Sequence, residues 1–370
     1  MATSLTRRGF TQLLGLGAAS SALRPALALA KTLPQAPQDT ASGIVRLSSN
    51  ENPYGPSEAA LAAMRQAFSL AWRYPDEAAD ELAADLAKLH GVPADHILLG
   101  DGSSEILKLC ADAFTGPGRS VVVAEPTFEA VARYAQVRGA EVVRVPLATG
   151  YRHDLDKMLP AGAGLVYVCN PNNPTASLTP AADLRAFLDR VPAGTAVLVD
   201  EAYAHYAEGR DWETMLPRIA DHPGLIVART FSKIYGMAGL RCGYAVAQPA
   251  TIGRLHEQQS FDSINIMALA AARASIADAG HVETGRRRNR EMRTFVQSGL
   301  ESMGYPAIPS ETNFLMTDLR KDVGPVIAAL KQQGVEVGRR FPAMPTHLRV
   351  TVGTRPQMET FMTALRTVLA

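Results

Sequence analysis

Cysteine is scarce: only Cys110, Cys169 and Cys242 occur in 370 residues. Each lies inside an apolar run, the count is odd and the spacings are unpaired, so no disulfide framework is expected, only buried thiols. The eight histidines are scattered, and no His/Cys spacing resembles a metal site, so no metal is expected. An excess of either charge is also missing, with 37 basic against 36 acidic residues and a formal net charge of +1. With the two signs so nearly balanced there is no reason to expect a nucleic-acid partner. Internal apolar stretches long enough to cross a membrane are absent, as are internal repeats. What is present is a 47% hydrophobic composition, enough to bury a large core in two lobes or one long α/β unit.

Residues 1–30 read as a targeting segment. Thr6-Arg7-Arg8-Gly9-Phe10 is a twin-arginine pattern, followed by a mildly apolar, Gly/Ala-rich stretch from Leu13 to Leu29. Ala28-Leu29-Ala30 offers a small-x-small cleavage site before Lys31. The expectation is export to the periplasm, or a cytoplasmic location if the signal is not used. Arg24-Pro25 interrupts the apolar run, which keeps a disordered segment or an amphipathic N-terminal helix open as the alternative. Residues 31–43, rich in Pro, Gln and small side chains, read as a linker.

Strand-like runs follow at 96–99, 120–124, 141–147, 164–169, 196–199, 224–230 and 242–247, alternating with helical patterns. That alternation indicates an α/β fold, a mostly parallel sheet with helices on both faces. Alanine-rich helices are expected over 59–71 and 80–90, and a long helical stretch over 264–303. The end of the chain reads as α+β, with strands at 313–317, 335–337 and 347–352 and helices at 323–333 and 356–369.

Four polar clusters stand where strands of such a sheet end, which is where open α/β sheets bind ligands. They are Gly100-Asp101-Gly102-Ser103-Ser104-Glu105, Asn170-Pro171-Asn172-Asn173-Pro174-Thr175, Asp200-Glu201-Ala202-Tyr203, and Thr230-Phe231-Ser232-Lys233-Ile234-Tyr235-Gly236. A lysine closing an apolar strand is hard to solvate, and burial lowers its pKa, as an amine needs in order to join an aldehyde. Ser232 and Arg241 could grip a phosphate beside it, and Gly102, Ser103 and Ser104 at a helix start offer N–H and hydroxyl groups to an anion. Singly, these are a snorkelling lysine, a capping acid, a helix cap and a turn asparagine. Their common position at strand ends is what argues for one site.

Together with Ser49-Asn50-Glu51-Asn52-Pro53-Tyr54-Gly55 and Leu348-Arg349-Val350-Thr351-Val352-Gly353-Thr354, the motifs resemble fold-type I pyridoxal-phosphate enzymes. The resemblance is to the class I/II aminotransferases, near the histidinol-phosphate aminotransferase branch, and covers nearly the whole chain after about residue 43. It implies a large cofactor-binding domain over 73–264 and a smaller α+β domain from 44–72 and 265–370.

It also implies pyridoxal 5′-phosphate as cofactor, with Lys233 joined to its aldehyde and later moving the substrate proton. Asp200 would pair with the pyridinium nitrogen, while Tyr203 and Asn173 bond its phenolic oxygen. Gly102, Ser103, Ser104, Ser232 and Arg241 would hold the phosphate. Phe128 matches the aromatic that stacks on the ring, where many relatives have tyrosine. Tyr74 matches a tyrosine that reaches the phosphate of the neighbouring subunit in a two-fold dimer. Arg349 matches the arginine that clamps the substrate carboxylate, and Asn52, Tyr54, Arg339 and Arg340, with Asn173, are candidates for the rest of the substrate pocket.

The segment Gly334–Pro342 departs from the branch. It is shorter, and its arginines are shifted from the one that holds the substrate phosphate, which puts histidinol phosphate itself in question. The expected reaction moves an amino group between a 2-oxo acid and an amino acid or amine that is histidinol-phosphate-like, aromatic or basic. Decarboxylation or oxidation at the same site is the first rival, separated by dependence on an oxo acid. A non-catalytic binding protein is the second, and it would be expected to have lost Lys233 or Asp200. Twin-arginine export, which carries folded proteins, suits an enzyme that takes up its cofactor first.

Overall fold

Apolar runs with no polar alternate face make strands that are covered on both sides, and the middle of this sheet is built from them. The computed structural model describes residues 43–159 and 162–370; the expected targeting segment, its cleavage site and the linker as far as residue 42 lie outside the described residues. In chain order the strands are β1 (Val45–Leu47), β2 (Ile97–Gly100), β3 (Ser120–Glu125), β4 (Val142–Pro146), β5 (Ala163–Cys169), β6 (Ala196–Asp200), β7 (Leu225–Thr230), β8 (Gly243–Ala247), β9 (Phe314–Asp318), β10 (Val335–Val337) and β11 (His347–Thr351). Seven of them form one sheet, ordered β2-β8-β7-β6-β5-β3-β4. Every residue of β5, β6 and β8 is buried. Val166, Val168, Val197, Val199 and Val227 face one core, and Leu165, Tyr167, Leu198 and Ile226 the other. At about 1.5–3 kcal/mol for each aliphatic side chain fully buried, the two faces fix the register of the strands that carry the polar clusters.

All neighbouring strands are parallel except β8, which is antiparallel to both β7 and β2. This reversal builds the site. Strands β2, β3, β5, β6 and β7 leave the sheet at one edge, and β8 enters it there. Gly243, the first residue of β8, is in register with both Thr230 and Gly100. Arg241, two residues earlier, is thereby delivered among the ends of the parallel strands.

A second core lies among β9 and β11, which pair antiparallel, and the parallel pair β1 and β10. Helices Ala279–Ser302, Val323–Gln332 and Arg355–Leu369 cover it with Val296, Leu300, Leu330, Phe361 and Leu365. By core membership, two segments that the sequence reading put in the smaller lobe go with the large sheet: Glu58–Ala67 through Ala60, and Ile266–Ala277 through Ala268 and Leu269. The second is apolar almost all round, as a helix enclosed by protein must be. The helical stretch expected over 264–303 is two helices, because Asp278 leaves helical geometry and its Oδ1 accepts the His281 N–H at 3.0 Å. The helix expected over 59–71 ends at Ala67 and tightens into a 3-10 turn over Phe68–Leu70. All three cysteines are free and buried.

Candidate active site

Lys233 follows the end of β7 into a cavity of about 1000 Å³, whose wall also includes Asp200, Tyr203, Asn173 and Arg349. Its Nζ donates to the Asn50 carbonyl at 3.2 Å and lies 5.6 Å from the Tyr203 ring centroid. Burial pushes this amine down to about 8, Arg349 and Arg241 acting in the same direction and Glu51 and Asp200 against it. The amine is therefore available as a nucleophile and base near neutrality.

Asp200 closes β6 and is 3% exposed. Its Oδ2 accepts from the Tyr167 hydroxyl at 2.9 Å and its Oδ1 from the Ala202 N–H at 3.1 Å. Burial pushes the carboxyl up to about 6, and these two bonds restrain the rise. Among the described residues no side-chain cation bonds to it, so its charge remains open to a cation in the cavity.

Arg241 lies against the start of helix Ser103–Phe114. Its Nη2 is 3.3 Å from the Asp101 carbonyl and 3.5 Å from Ser104 Oγ, and its Nη1 is 3.4 Å from Ser232 Oγ. Ser103, Ser104, Ser232 and Arg241 all line the cavity, converging as donors for an anion. Gly102, at the head of that helix, has φ +74°, and a Cβ there would fall 2.0 Å from Arg241 Nη2. Gly102→Ala is thus expected to displace Arg241 and weaken cofactor binding roughly ten- to hundredfold, the worth of a hydrogen bond to a charged group. Titration of the apoprotein with cofactor checks this, and an unchanged Kd would remove Arg241 as a phosphate ligand.

Arg349, on β11, is 9% exposed. Its Nη1 donates to Asn173 Oδ1 and its Nη2 to the Ser48 carbonyl, both at 2.7 Å, with the Phe314 and Phe341 rings 5.5 and 5.2 Å away. Among the described residues Nε has no partner and no carboxylate pairs with the guanidinium. With its amide oxygen held by Arg349, Asn173 keeps its NH₂ for another acceptor.

Phe128 lines the cavity and is 38% exposed. Arg339 also lines it, its Nη2 2.8 Å from Glu129 Oε1. Three candidates for the substrate pocket are elsewhere. Asn52 donates to the Ile234 carbonyl at 2.7 Å and accepts from the Tyr54 N–H at 3.1 Å, while Arg288 lies over the Tyr54 ring at 4.6 Å. These two residues lock a turn behind Lys233 and line a separate cleft of about 10 Å³. Arg340 is no part of the cavity wall, because its guanidinium is turned to Asp322, with which it pairs at 2.7 Å. Tyr74, 81% exposed, is not part of the cavity of its own chain.

Sequence reasoning missed Asn50, Tyr167, Glu129 and Arg133, the last two of which line the cavity. A tyrosine inside a strand buried on both faces needs a partner for its hydroxyl, and that signal could have found Tyr167. Asn50 stood in a quoted motif. Glu129 and Arg133 carry no comparable mark.

The distribution of charge fits the cofactor that the motifs imply: converging donors for a phosphate, an amine at Lys233 for the aldehyde and an unpaired buried carboxyl at Asp200 for a pyridinium. The sequence pattern of the class I and II aminotransferases matches residues 42–365. The chain is 43% identical over 330 residues to a histidinol-phosphate aminotransferase of Symbiobacterium thermophilum, covering 88% of this chain and 91% of that protein. It is 41% identical to histidinol-phosphate aminotransferase 2 of Pseudomonas aeruginosa, over 89% of this chain and 90% of that one. A histidinol-phosphate aminotransferase of Sinorhizobium meliloti, solved in complex with pyridoxal-5′-phosphate, superposes with a TM-score of 0.82 at 30% identity, over 88% of this chain and 91% of that one.

Proposed function

Because this chain belongs to the class I and II aminotransferases and uses pyridoxal phosphate, we propose that its amino donor carries an anionic group bound by Arg349. The acceptor is a 2-oxo acid, and the side chain of the donor is histidinol-phosphate-like, aromatic or basic. Arg349 carries this reading: a nine-tenths buried guanidinium without a carboxylate partner among the described residues is short of an anion. The named relatives support histidinol phosphate as the first donor to try. The shifted arginines around Arg339 support a different side chain.

Pyridoxal phosphate supplies an electron sink for bond breaking at the amino-bearing carbon. The protein does the rest. Lys233 accepts and returns a proton at Nζ, which its low pKa permits. Asp200 would keep a positive charge on the ring nitrogen, and Tyr203 and Asn173 would offer donors to the ring oxygen. Arg241, Ser103, Ser104 and Ser232, which converge on the cavity, would anchor the phosphate, and Phe128 on its wall would be the aromatic neighbour of the ring.

The reading is tested by a spectrophotometric screen of amino donors on the purified protein. Loss of the near-visible cofactor band, restored by 2-oxoglutarate, names the donor. Arg349→Lys keeps the charge but loses the two-pronged fork, and is expected to cut kcat/KM for the anionic donor roughly tenfold to hundredfold. Equal rates for donors with and without an anion would refute the role of Arg349.

A homodimer and export belong to the same proposal. Phe68, Leu70, Trp72 and Tyr74 form one exposed apolar segment, which supports a second copy covering it and Tyr74 reaching that copy's site. Export rests on the twin-arginine segment, which lies outside the described residues.

A further inference from the structure

We propose that Asn50 is a positioning residue that aims the Tyr203 proton into the cavity and holds the Lys233 amine, tying both to the smaller lobe. The proposal rests on the roles given above to Lys233 and Tyr203. Asn50 is 2% exposed and has a left-handed backbone, φ +57°, which asparagine tolerates better than most residues.

Each polar group of Asn50 is engaged. Its N–H donates to Thr351 Oγ1 at 2.9 Å, and its Oδ1 accepts from the same hydroxyl at 3.3 Å. Its Nδ2 donates to the Tyr203 hydroxyl oxygen at 3.0 Å. Its carbonyl accepts from Lys233 Nζ at 3.2 Å and from Asn313 Nδ2 at 3.0 Å.

These bonds fix the direction of a proton. The Thr351 hydroxyl already accepts the backbone N–H, so its own proton goes to Oδ1, which turns the amide oxygen toward Thr351 and the NH₂ toward Tyr203. An NH₂ can only donate. The Tyr203 oxygen is therefore the acceptor in that contact, and its proton must point elsewhere. The other polar space beside it is the cavity. An aspartate of the same shape would accept the phenolic proton and draw it out of the cavity. The left-handed backbone meanwhile turns the carbonyl to Lys233, where it holds the amine whenever that amine is free.

Both anchors of Asn50 belong to the smaller lobe, Thr351 as the last residue of β11 and Asn313 as the residue before β9, while Tyr203 and Lys233 follow strands of the large sheet. A shift between the lobes would thus move the groups that hold these two protons. The other charged or titratable groups facing them are Glu51 beside Asn50, Cys169 on β5, Asp200 on β6, Arg241 before β8 and Arg349 on β11. Asn50→Asp leaves all of them in place.

The test is a pH titration of the near-visible absorbance of the cofactor-loaded protein, with cofactor affinity and thermal melting measured alongside. Asn50→Asp is expected to raise the midpoint by about one pH unit or more, a tenfold gain in proton affinity, because it adds a negative charge and withdraws the Tyr203 proton from the cofactor oxygen. The shift should be clearly smaller in a Tyr203→Phe background. Thr351→Val, which frees the amide to rotate, should move the midpoint in the same direction by less, and it serves if Asn50→Asp fails to fold. A midpoint unchanged in Asn50→Asp, or in Thr351→Val where that variant stands in, would overturn the proposal. A shift equally large with and without Tyr203 would overturn it too. Failure of the parent reading is separate: Lys233→Ala would then retain the lysine-dependent absorbance.

Discussion

Lys233→Ala is expected to lower turnover by more than about 10⁴-fold, since in the proposed function it is both the point of attachment for the cofactor and the group that moves the proton. The near-visible band of the lysine-bound cofactor should vanish, while cofactor held through Arg241 and the serines remains bound. Two physical features single this lysine out. It is enclosed by protein, and the nearby Arg349 adds a like charge, so the amine is pushed down to about 8 from the ordinary 10.5. Between about pH 8 and the ordinary lysine value the unfolded chain holds a proton that the folded chain does not. The contribution of Lys233 to folding stability therefore rises with pH across that window and is least favourable below it. In the apoprotein, labelling of Lys233 by an amine-directed reagent should rise through about pH 8, well before exposed lysines react. Full activity in Lys233→Ala, or labelling that tracks ordinary lysines, would remove it from the chemistry.

Much of the fold was legible because the large sheet leaves little choice. Runs such as Gly164–Cys169 and Ala196–Val199 have no polar alternate face, so strands enclosed on both sides were the available reading, and each of the seven expected runs lies within a residue or two of a strand. The site was legible wherever a strand ended in a polar cluster, because one topological rule places all such ends together. What sequence could not give was orientation within loops. Arg339 and Arg340 are adjacent and chemically identical, yet one lines the cavity and the other pairs with Asp322. Asn52 and Tyr54 come from a motif beside the site but are consumed by the turn they build. Asn50, two residues earlier, faces inward because its backbone takes a left-handed conformation that composition does not reveal. Helix boundaries failed for a similar reason: Asp278 looks like one more charge in a polar helix until its side chain caps the next one.

Glu201→Ala is expected to cost about 3–5 kcal/mol of stability, the usual penalty for leaving one charge of a buried ion pair without its partner. Against a typical total of about 5–15 kcal/mol, and at roughly 2 °C per kcal/mol in a large domain, the melting temperature should fall by about 6–10 °C. Glu201 is 1% exposed and fully engaged. Its Oε2 accepts from Arg229 Nε at 3.0 Å and Nη2 at 2.7 Å, its Oε1 from the Met215 N–H at 2.7 Å, and Thr214 Oγ1 lies within 3.0 Å of both oxygens. The Glu201 charge holds the Arg229 guanidinium above its ordinary value despite burial. The pair joins the residue after Asp200 to the strand that leads to Lys233, so the two groups of opposite charge needed in the cavity are fixed on neighbouring strands by a contact outside it. If the penalty is the unpaired charge, replacing both partners, as in Glu201→Leu with Arg229→Met, should recover much of the lost stability. If the pair also sets the spacing of Asp200 and Lys233, that stable double variant should still titrate its cofactor band at a shifted pH. Recovery of stability with an unmoved titration would reduce the pair to packing, and no recovery at all would show that the surrounding polar bonds, more than the charges, hold these strand ends together.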